Sequence, residues 1–168
     1  NDPVLPDGYW TLASMFKEAG YKTGLFGKWH LGSDPKFFPG FYGFDYSYGS
    51  LAGGIDPYTH RYKSGPYSKT WHRNGKLIDE YGHTTDLITQ EAINWIKEKD
   101  KNNNSWFCYI PFTAVHRPTK APEKWIDKYS YKKYDTDPIR DRSFKVYAGY
   151  TSHMDYSVGR LIETLKII

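Results

Sequence analysis

The sequence has a single cysteine, Cys108, among its 168 residues. One cysteine cannot form an intrachain disulfide, so a disulfide-stabilised fold is excluded and the redox compartment stays open. No apolar run approaches the ~20 residues that cross a bilayer, which predicts no membrane span. The chain has neither an initial Met nor a signal peptide, so it carries no direct targeting information. It also lacks Lys/Arg runs and Gly-aromatic motifs, so nucleic acid is not an expected partner.

The composition is that of a globular chain. Hydrophobic residues make up 39% and charged residues 25% of the sequence. Aromatic residues reach 18%, with 16 Tyr and 6 Trp. Such rings suit polar clefts and carbohydrate-facing surfaces, and equally the local packing of loops. The formal net charge of +4 is compatible with an anionic substrate, although the basic residues are not clustered.

Hydrophobic periodicity and turn residues predict a series of helices and strands. Asn74-Gly75 between two β-prone runs predicts a hairpin over Lys69–Asp79. The apolar run Trp106–Phe112 lacks alternation, which predicts a strand buried on both faces. Ser33 to Tyr67 has no sustained period, and its Phe and Tyr content predicts a long ordered loop. The other predicted elements are a helix over about Trp10–Ala19, a strand over Tyr21–Phe26, a helix over about Thr85–Lys99 capped by Thr84 or Thr85, one or two helical turns within Pro122–Tyr129, and a helix over about Arg142–Leu165.

This order of elements predicts an α/β fold with a mixed or parallel sheet covered by helices. Only two of the predicted strands are candidates for parallel pairing. Two parallel strands cannot bury both faces of a sheet between layers of helices. Two interpretations follow, a small complete α+β domain or a piece of a larger sheet covered on both sides, and we favour the second.

One segment, Gly20 to Gly32, combines several glycines with Lys28 and His30. In an extended chain, residues two apart project from the same face, and Trp29 projects from the other. The segment follows a predicted strand, and α/β sheets bind ligands at the carboxyl ends of their strands. A lysine and a histidine that converge there could bind a tetrahedral oxyanion. However, Lys-x-His in a loop is usually a pair of exposed residues without a specific function.

The pattern Gly-Tyr-x-Thr-Gly-x-x-Gly-Lys-Trp-His-Leu-Gly at Gly20–Gly32 resembles the second signature of the sulfatase family. This motif is long and specific. Other segments that resemble the family, in the family's order, are Gly43–Asp45 with Tyr48-Gly49, Asp56–His60, Ala114–Pro118, and Tyr147–Asp155 with Val158-Gly159. Asp56–His60 is similar to the arylsulfatase B-like (N-acetylgalactosamine-4-sulfatase-like) subgroup. The resemblance covers essentially the whole chain.

The resemblance implies the alkaline phosphatase-like fold and a sulfuric ester hydrolase that acts on a sulfated sugar or an aryl sulfate. It implies that Lys28 contacts the sulfate and a formylglycine hydrate, supplying positive charge where negative charge develops. His30 would hydrogen-bond the formylglycine and assist collapse of its sulfated hemiacetal. His116 would bind at the ester oxygen and protonate the departing alcohol. The alternative for His116 is a loop histidine that caps a carbonyl beside Pro118.

The resemblance also implies parts that this sequence lacks. Sulfatases carry a Cys-x-Pro-x-Arg or Ser-x-Pro-x-Arg motif whose first residue becomes formylglycine, whereas Cys108 is followed by Tyr109, Ile110 and Pro111. We therefore expect Cys108 to be an inert core thiol. The family's Ca²⁺ ligands are expected outside the chain, so no metal ligand is expected within it. Residues 1–168 would be the central part of a sulfatase catalytic domain, inactive by itself.

Two rival functions stay open. A phosphatase or phosphodiesterase of the same superfamily would share the sheet and use Ser or Thr as its nucleophile. A non-catalytic sulfated-glycan-binding protein would keep Lys28, His30 and His116 as an anion site.

Asn103-Asn104-Ser105 is an N-glycosylation sequon. Together with the resemblance it favours a lysosomal or secreted protein, while the oligomeric state stays unknown. Of the other histidines, His83 is expected to serve a helix N-terminus, and His60 could line a substrate pocket.

Overall fold

The structure, a computed structural model, describes residues 5, 8–34, 37–65 and 68–168. Positions 35–36 and 66–67 of the predicted Ser33–Tyr67 loop lie outside the described residues. The elements, labelled in chain order, are α1 Leu12–Glu18, β1 Lys22–Lys28, β2 Tyr46–Ser50, β3 Trp71–Arg73, β4 Lys76–Leu77, α2 Thr84–Lys101, β5 Trp106–Tyr109, α3 Glu123–Ile126 and α4 Pro138–Leu165. Short 3-10 turns cover Pro39–Tyr42 and Asp127–Tyr129.

The strands form one mixed sheet in the order β4-β3-β2-β1-β5. β1 pairs in parallel with β2 on one side and with β5 on the other, so Leu25 lies opposite both Ser47 and Tyr109. β3 pairs antiparallel with β2, and β4 antiparallel with β3. The predicted α/β class with a mixed sheet is therefore confirmed. β1 is the inner parallel strand, and its carboxyl end carries Lys28.

Helices cover both faces of this sheet. Alternation along β1 sends the fully buried Leu25 and Phe26 to opposite faces. Phe26 packs in the larger hydrophobic cluster with Trp95 of α2 and Leu161 of α4. Leu25 packs in the second cluster with Ala13 of α1. Both faces of β1 are thus buried, which fixes the position of its carboxyl end.

The strand β2 corrects the prediction of a single long loop over Ser33–Tyr67. Its sequence, Tyr-Ser-Tyr-Gly-Ser, has no aliphatic residue, so hydrophobic periodicity does not reveal it. Tyr48 is fully buried in the larger cluster, and Gly49 packs tightly against β1, because a methyl group there would lie 2.2 Å from the Gly27 carbonyl oxygen. The sheet therefore has three parallel strands where the sequence predicted two.

The strand β5 is shorter and less buried than predicted. It ends at Tyr109 rather than Phe112, and the Tyr109 side chain is 49% exposed. Among the described strands, β5 pairs with β1 alone, so one of its sides is uncovered in this part of the fold. Cys108 is partly buried, and this burial raises the pKa of its thiol to about 12, which disfavours a reactive thiolate.

The predicted hairpin and helices are present with shifted ends. Asn74 and Gly75 have φ of 47° and 81°, as the Asn-Gly turn requires. The predicted Thr84 or Thr85 cap of α2 is wrong, because His83 is the cap and its Nδ1 accepts the Thr85 N–H. The expectation that His83 serves this helix end is confirmed. α4 begins four residues before the predicted Arg142, because Asp137 accepts two N–H groups there and Pro138 opens the helix.

The fully buried His72 of β3 gives a pH prediction. Burial lowers the pKa of its imidazole from 6.5 to about 4. Between those values the unfolded chain binds a proton that the folded chain does not. We expect the free energy of unfolding to fall as pH drops through this window, by about 1.4 kcal/mol per unit and about 3 kcal/mol in all.

Urea unfolding at several pH values between 4 and 7 measures this slope. His72→Phe is the matched variant, because a phenyl ring keeps the stacking on Phe38 and does not titrate. In the variant, the free energy of unfolding is expected to lose the part of its pH dependence that corresponds to one proton, about 1.4 kcal/mol per pH unit. Equal slopes for the two proteins would show that His72 is not the group responsible.

Candidate active site

The site begins where β1 ends. Lys28 is half-buried, and its N–H donates to the carbonyl of Pro111 at 2.7 Å. The next side chain, Trp29, is buried in the second hydrophobic cluster and donates its Nε1–H to the Phe37 carbonyl at 2.7 Å. The buried Trp29 therefore fixes the backbone between Lys28 and His30.

The backbone of His30 departs from the predicted extended conformation. Its φ is 62°, in the left-handed region, while its N–H donates to the Leu51 carbonyl at 3.0 Å. Strict alternation of side chains therefore holds through Trp29 and stops at His30. The expectation that Lys28 and His30 share a face because the chain is extended is wrong in its geometry, and the left-handed turn is what directs the exposed His30 side chain.

His116 lies in the loop that follows β5. Its N–H donates to the Thr113 carbonyl at 3.0 Å, and its Nδ1–H donates to the Arg117 carbonyl at 2.5 Å. That carbonyl precedes Pro118, so the capping contact considered as the plain alternative is present. The contact leaves Nε2 unprotonated in the neutral imidazole and available to a ligand. His116 is exposed, and it lines a cavity.

Two successive glycines bring His30 and His116 to this cavity. A methyl group on Gly53 would lie 2.6 Å from Nε2 of His30, and one on Gly54 would lie 2.5 Å from Nδ1 of His116. Both imidazoles therefore pack against bare main chain in the loop after β2. His30 and His116 line one cavity of about 950 Å³.

The positive charge of Lys28 acts on His30. The pKa of His30 is lowered first by burial, then by the positive charge of Lys28 and by His116. His30 is therefore a neutral imidazole at pH 7, able to accept a proton. Lys28 is not among the residues that line the cavity in the described part of the chain. It stands close enough to His30 for its charge to act there.

Four charged residues of the cavity wall were not singled out from the sequence. Arg61, Lys63 and Arg117 contribute cations, and Asp56 contributes a carboxylate. Asp56 was noted only as part of a motif, and Arg117 only as the neighbour of His116. The available signal was the pairing of two basic residues around Tyr62, but nothing in the sequence says that this loop faces the loop after β5.

A family model described as Sulfatase matches residues 2–167. The chain belongs to the sulfatase family. It is similar to the N-acetylgalactosamine-6-sulfatase of Sus scrofa, with 29% identity over 96% of the chain and 30% of that protein. It is also similar to the arylsulfatase of Klebsiella aerogenes, with 26% identity over 96% of the chain and 44% of that protein.

The sulfatase fold is supported by solved structures as well. The crystal structure of Ps i-CgsB in complex with k-i-k-neocarrahexaose matches 99% of the chain with a TM-score of 0.85 and 28% identity. The chain covers 38% of that structure, so it has part of the alkaline phosphatase-like fold, as predicted. The chain spans 30% to 44% of the lengths of these three relatives.

The remaining histidines of this sulfatase chain are not among the described residues that line the cavity. His60 is buried, stacks on Trp71 and donates Nε2–H to the Gly82 carbonyl at 2.9 Å. It is not among the described residues that line the cavity with His30, so the option that it lines that pocket is not supported. His153 is buried inside α4, and its Nε2 pairs with Asp86 at 2.9 Å.

One cluster within the described part of this sulfatase could offer metal ligands. It consists of His83, Asp86 and His153, whose ligand atoms lie within 4.8 Å of one another. Both ring nitrogens of His83 are already hydrogen-bonded, to the Lys120 carbonyl and the Thr85 N–H. Ca²⁺ prefers six to eight oxygen ligands, so this donor set does not fit calcium.

No helix in the described ranges combines the length and apolar character that crossing a bilayer requires.

Proposed function

We propose that the protein containing this chain hydrolyses sulfuric esters, on a sulfated sugar or an aryl sulfate. The observation that carries the proposal is the convergence of His30 and His116 on one cavity, with the charge of Lys28 acting on His30. Membership of the sulfatase family supports the reaction class. The relatives named for N-acetylgalactosamine-6-sulfate and for aryl sulfates support the two substrate classes.

Lys28 would bind the sulfate. An ammonium group at the end of a buried strand would stabilise negative charge that develops on the sulfate oxygens. His30 would act as a base. Burial and the neighbouring positive charges hold its pKa below 6.5, so it stays neutral and can take up a proton during the reaction.

His116 would bind at the ester oxygen and protonate the departing alcohol. The Arg117 carbonyl fixes the proton on Nδ1, so the free Nε2 is the atom that faces the ligand. To protonate the alcohol from Nε2, the ring must first carry a proton on that nitrogen.

The formylglycine and Ca²⁺ of the family would come from other parts of the protein. The described residues do not fit either group. Cys108 lies in β5 and has Ile110 and Phe112 where the motif requires Pro and Arg, and the His83 cluster does not suit calcium. We propose that residues 1–168 are the central part of the catalytic domain.

Turnover of a fluorogenic aryl sulfate tests the proposal. We expect the full-length protein to hydrolyse it, while residues 1–168 alone do not, because the nucleophile is supplied elsewhere. An aryl phosphate measured in parallel is the control. Faster turnover of the phosphate would favour the phosphatase interpretation, and retention on sulfated polysaccharide without any turnover would favour a binding protein.

A secretory destination, lysosomal or extracellular, accompanies this proposal. Asn103 is exposed in the turn after α2, with φ of 52°, so its amide is accessible to glycosylation. A mass shift on enzymatic removal of N-glycans, absent in Asn103→Gln, would support that route.

A further inference from the structure

The cavity that contains His30 and His116 is larger than a sulfate ester needs. Its volume of about 950 Å³ lies near the top of the ~300–1,000 Å³ range of small-molecule sites. Its wall continues from the imidazoles to Arg61 and Lys63 in the loop after β2, and to Arg117 in the loop after β5. Space and positive charge are therefore both present beyond the two histidines.

Two of the four charged wall residues have ion-pair partners within the protein. Asp56 accepts hydrogen bonds from the N–H groups of Tyr58 and Thr59 and from Lys120. Burial alone opposes its ionisation, but these hydrogen bonds lower its pKa to about 2, so it is a carboxylate matched by Lys120. Arg61 pairs with Asp79 at 2.9 Å.

The other two, Lys63 and Arg117, make no ion pair within the described ranges. Lys63 is exposed, and its ammonium lies over the Tyr62 ring at 5.4 Å from the centroid. Arg117 is exposed, and its backbone is fixed because its carbonyl accepts the His116 Nδ1–H. The Arg117 side chain thus begins one residue from a proposed catalytic imidazole and has no carboxylate of its own.

We propose that Lys63 and Arg117 bind a second anionic group of the substrate, a sulfate or a carboxylate, so that the preferred substrate is a polyanionic glycan rather than a singly sulfated sugar. This inference rests on the proposed sulfatase function. An Arg guanidinium binds sulfate or carboxylate with two parallel hydrogen bonds, and the lysine adds a point charge. The anionic group of the substrate would then be the ion-pair partner of Lys63 and Arg117.

A competition between related disaccharides tests the inference in the full-length protein. The three substrates carry the same cleavable sulfate, with a second sulfate, a carboxylate or a hydroxyl on the adjacent sugar. We expect kcat/KM for at least one dianionic substrate to exceed that of the singly sulfated one about tenfold or more. The advantage should shrink at high salt, because exposed charges are screened.

The double variant Lys63→Ala/Arg117→Ala is expected to bring this ratio close to one. Because each ratio is measured on a single preparation, a loss of folded protein cancels. Lys76→Ala/Lys97→Ala removes the same charge from exposed positions outside the cavity and should keep the wild-type ratio.

The outcomes separate the two proposals. Failure to hydrolyse any of the three substrates would contradict the sulfatase function itself. Equal turnover of all three, or a ratio that the double variant leaves unchanged, would overturn the second anion site while leaving the sulfatase function in place. A preference restricted to the sulfate or to the carboxylate would identify which anion the site takes.

Discussion

Lys28→Met in the full-length protein is expected to lower kcat/KM for an aryl sulfate by about 10²–10³-fold, the usual effect of removing one preorganised charge-stabilising group. Methionine keeps the length of the side chain at the half-buried end of β1, so the strand should still form. Removing the ammonium should also raise the pKa of His30, because the charge of Lys28 is one cause of its lowered pKa. NMR titration of the His30 ring measures that shift independently of turnover.

Lys22→Met is the matched control for this prediction. Lys22 is the exposed first residue of the same strand, at the end away from the cavity. We expect it to keep activity and to leave the His30 titration unchanged. If Lys28→Met retained full activity and the wild-type His30 pKa, neither the sulfate contact nor the proximity of the two groups could be maintained.

Gly27→Ala is expected to destabilise the protein by about 3 kcal/mol or more. Gly27 has φ of 136°, and a methyl group there would lie 2.0 Å from the Pro111 carbonyl oxygen. That oxygen belongs to backbone and also accepts the Lys28 N–H, so it cannot simply move away. Backbone strain and the steric clash each cost about 1–3 kcal/mol. Thermal and urea unfolding measure the change.

Gly159→Ala provides the opposite result in the same protein. Gly159 lies within α4, and a methyl group there would meet nothing within 4 Å. Because alanine is the better helix former, we expect this variant to gain about 0.5–1 kcal/mol. Comparable stability for the two variants would mean that β1 and the Pro111 segment are not in the close contact described.

Local signals predicted the elements that depend on local chemistry. The hairpin at Asn74-Gly75 follows from residues that tolerate positive φ, and α2 follows from its apolar periodicity. β2 could not be predicted in this way, because its burial depends on Gly49 meeting Gly27 across the sheet. The burial predicted for β5 on both faces is not seen in this part of the fold, where β1 is its one partner among the described strands.

The candidate site shows the same division. Family resemblance singled out Lys28, His30 and His116, and the structure brings the two histidines to one cavity with Lys28 acting on His30. The extended geometry assumed for Lys28 and His30 was wrong, because the left-handed φ of His30 depends on its hydrogen bond to Leu51. Arg117 and Lys63 were missed because they line one cavity only through the packing of two loops that are distant in sequence.

Gly53 and Gly54 make the positions of the two imidazoles independent of the side chains around them. Because the imidazoles of His30 and His116 rest on peptide groups, no neighbouring side chain has to change shape or be replaced for them to keep their places. The positions of the two rings therefore do not depend on the side chains of Lys63 and Arg117, which line the same cavity. If the proposed anion site is correct, we expect substitutions at these two residues to change which anionic group is preferred while the two imidazoles stay in place.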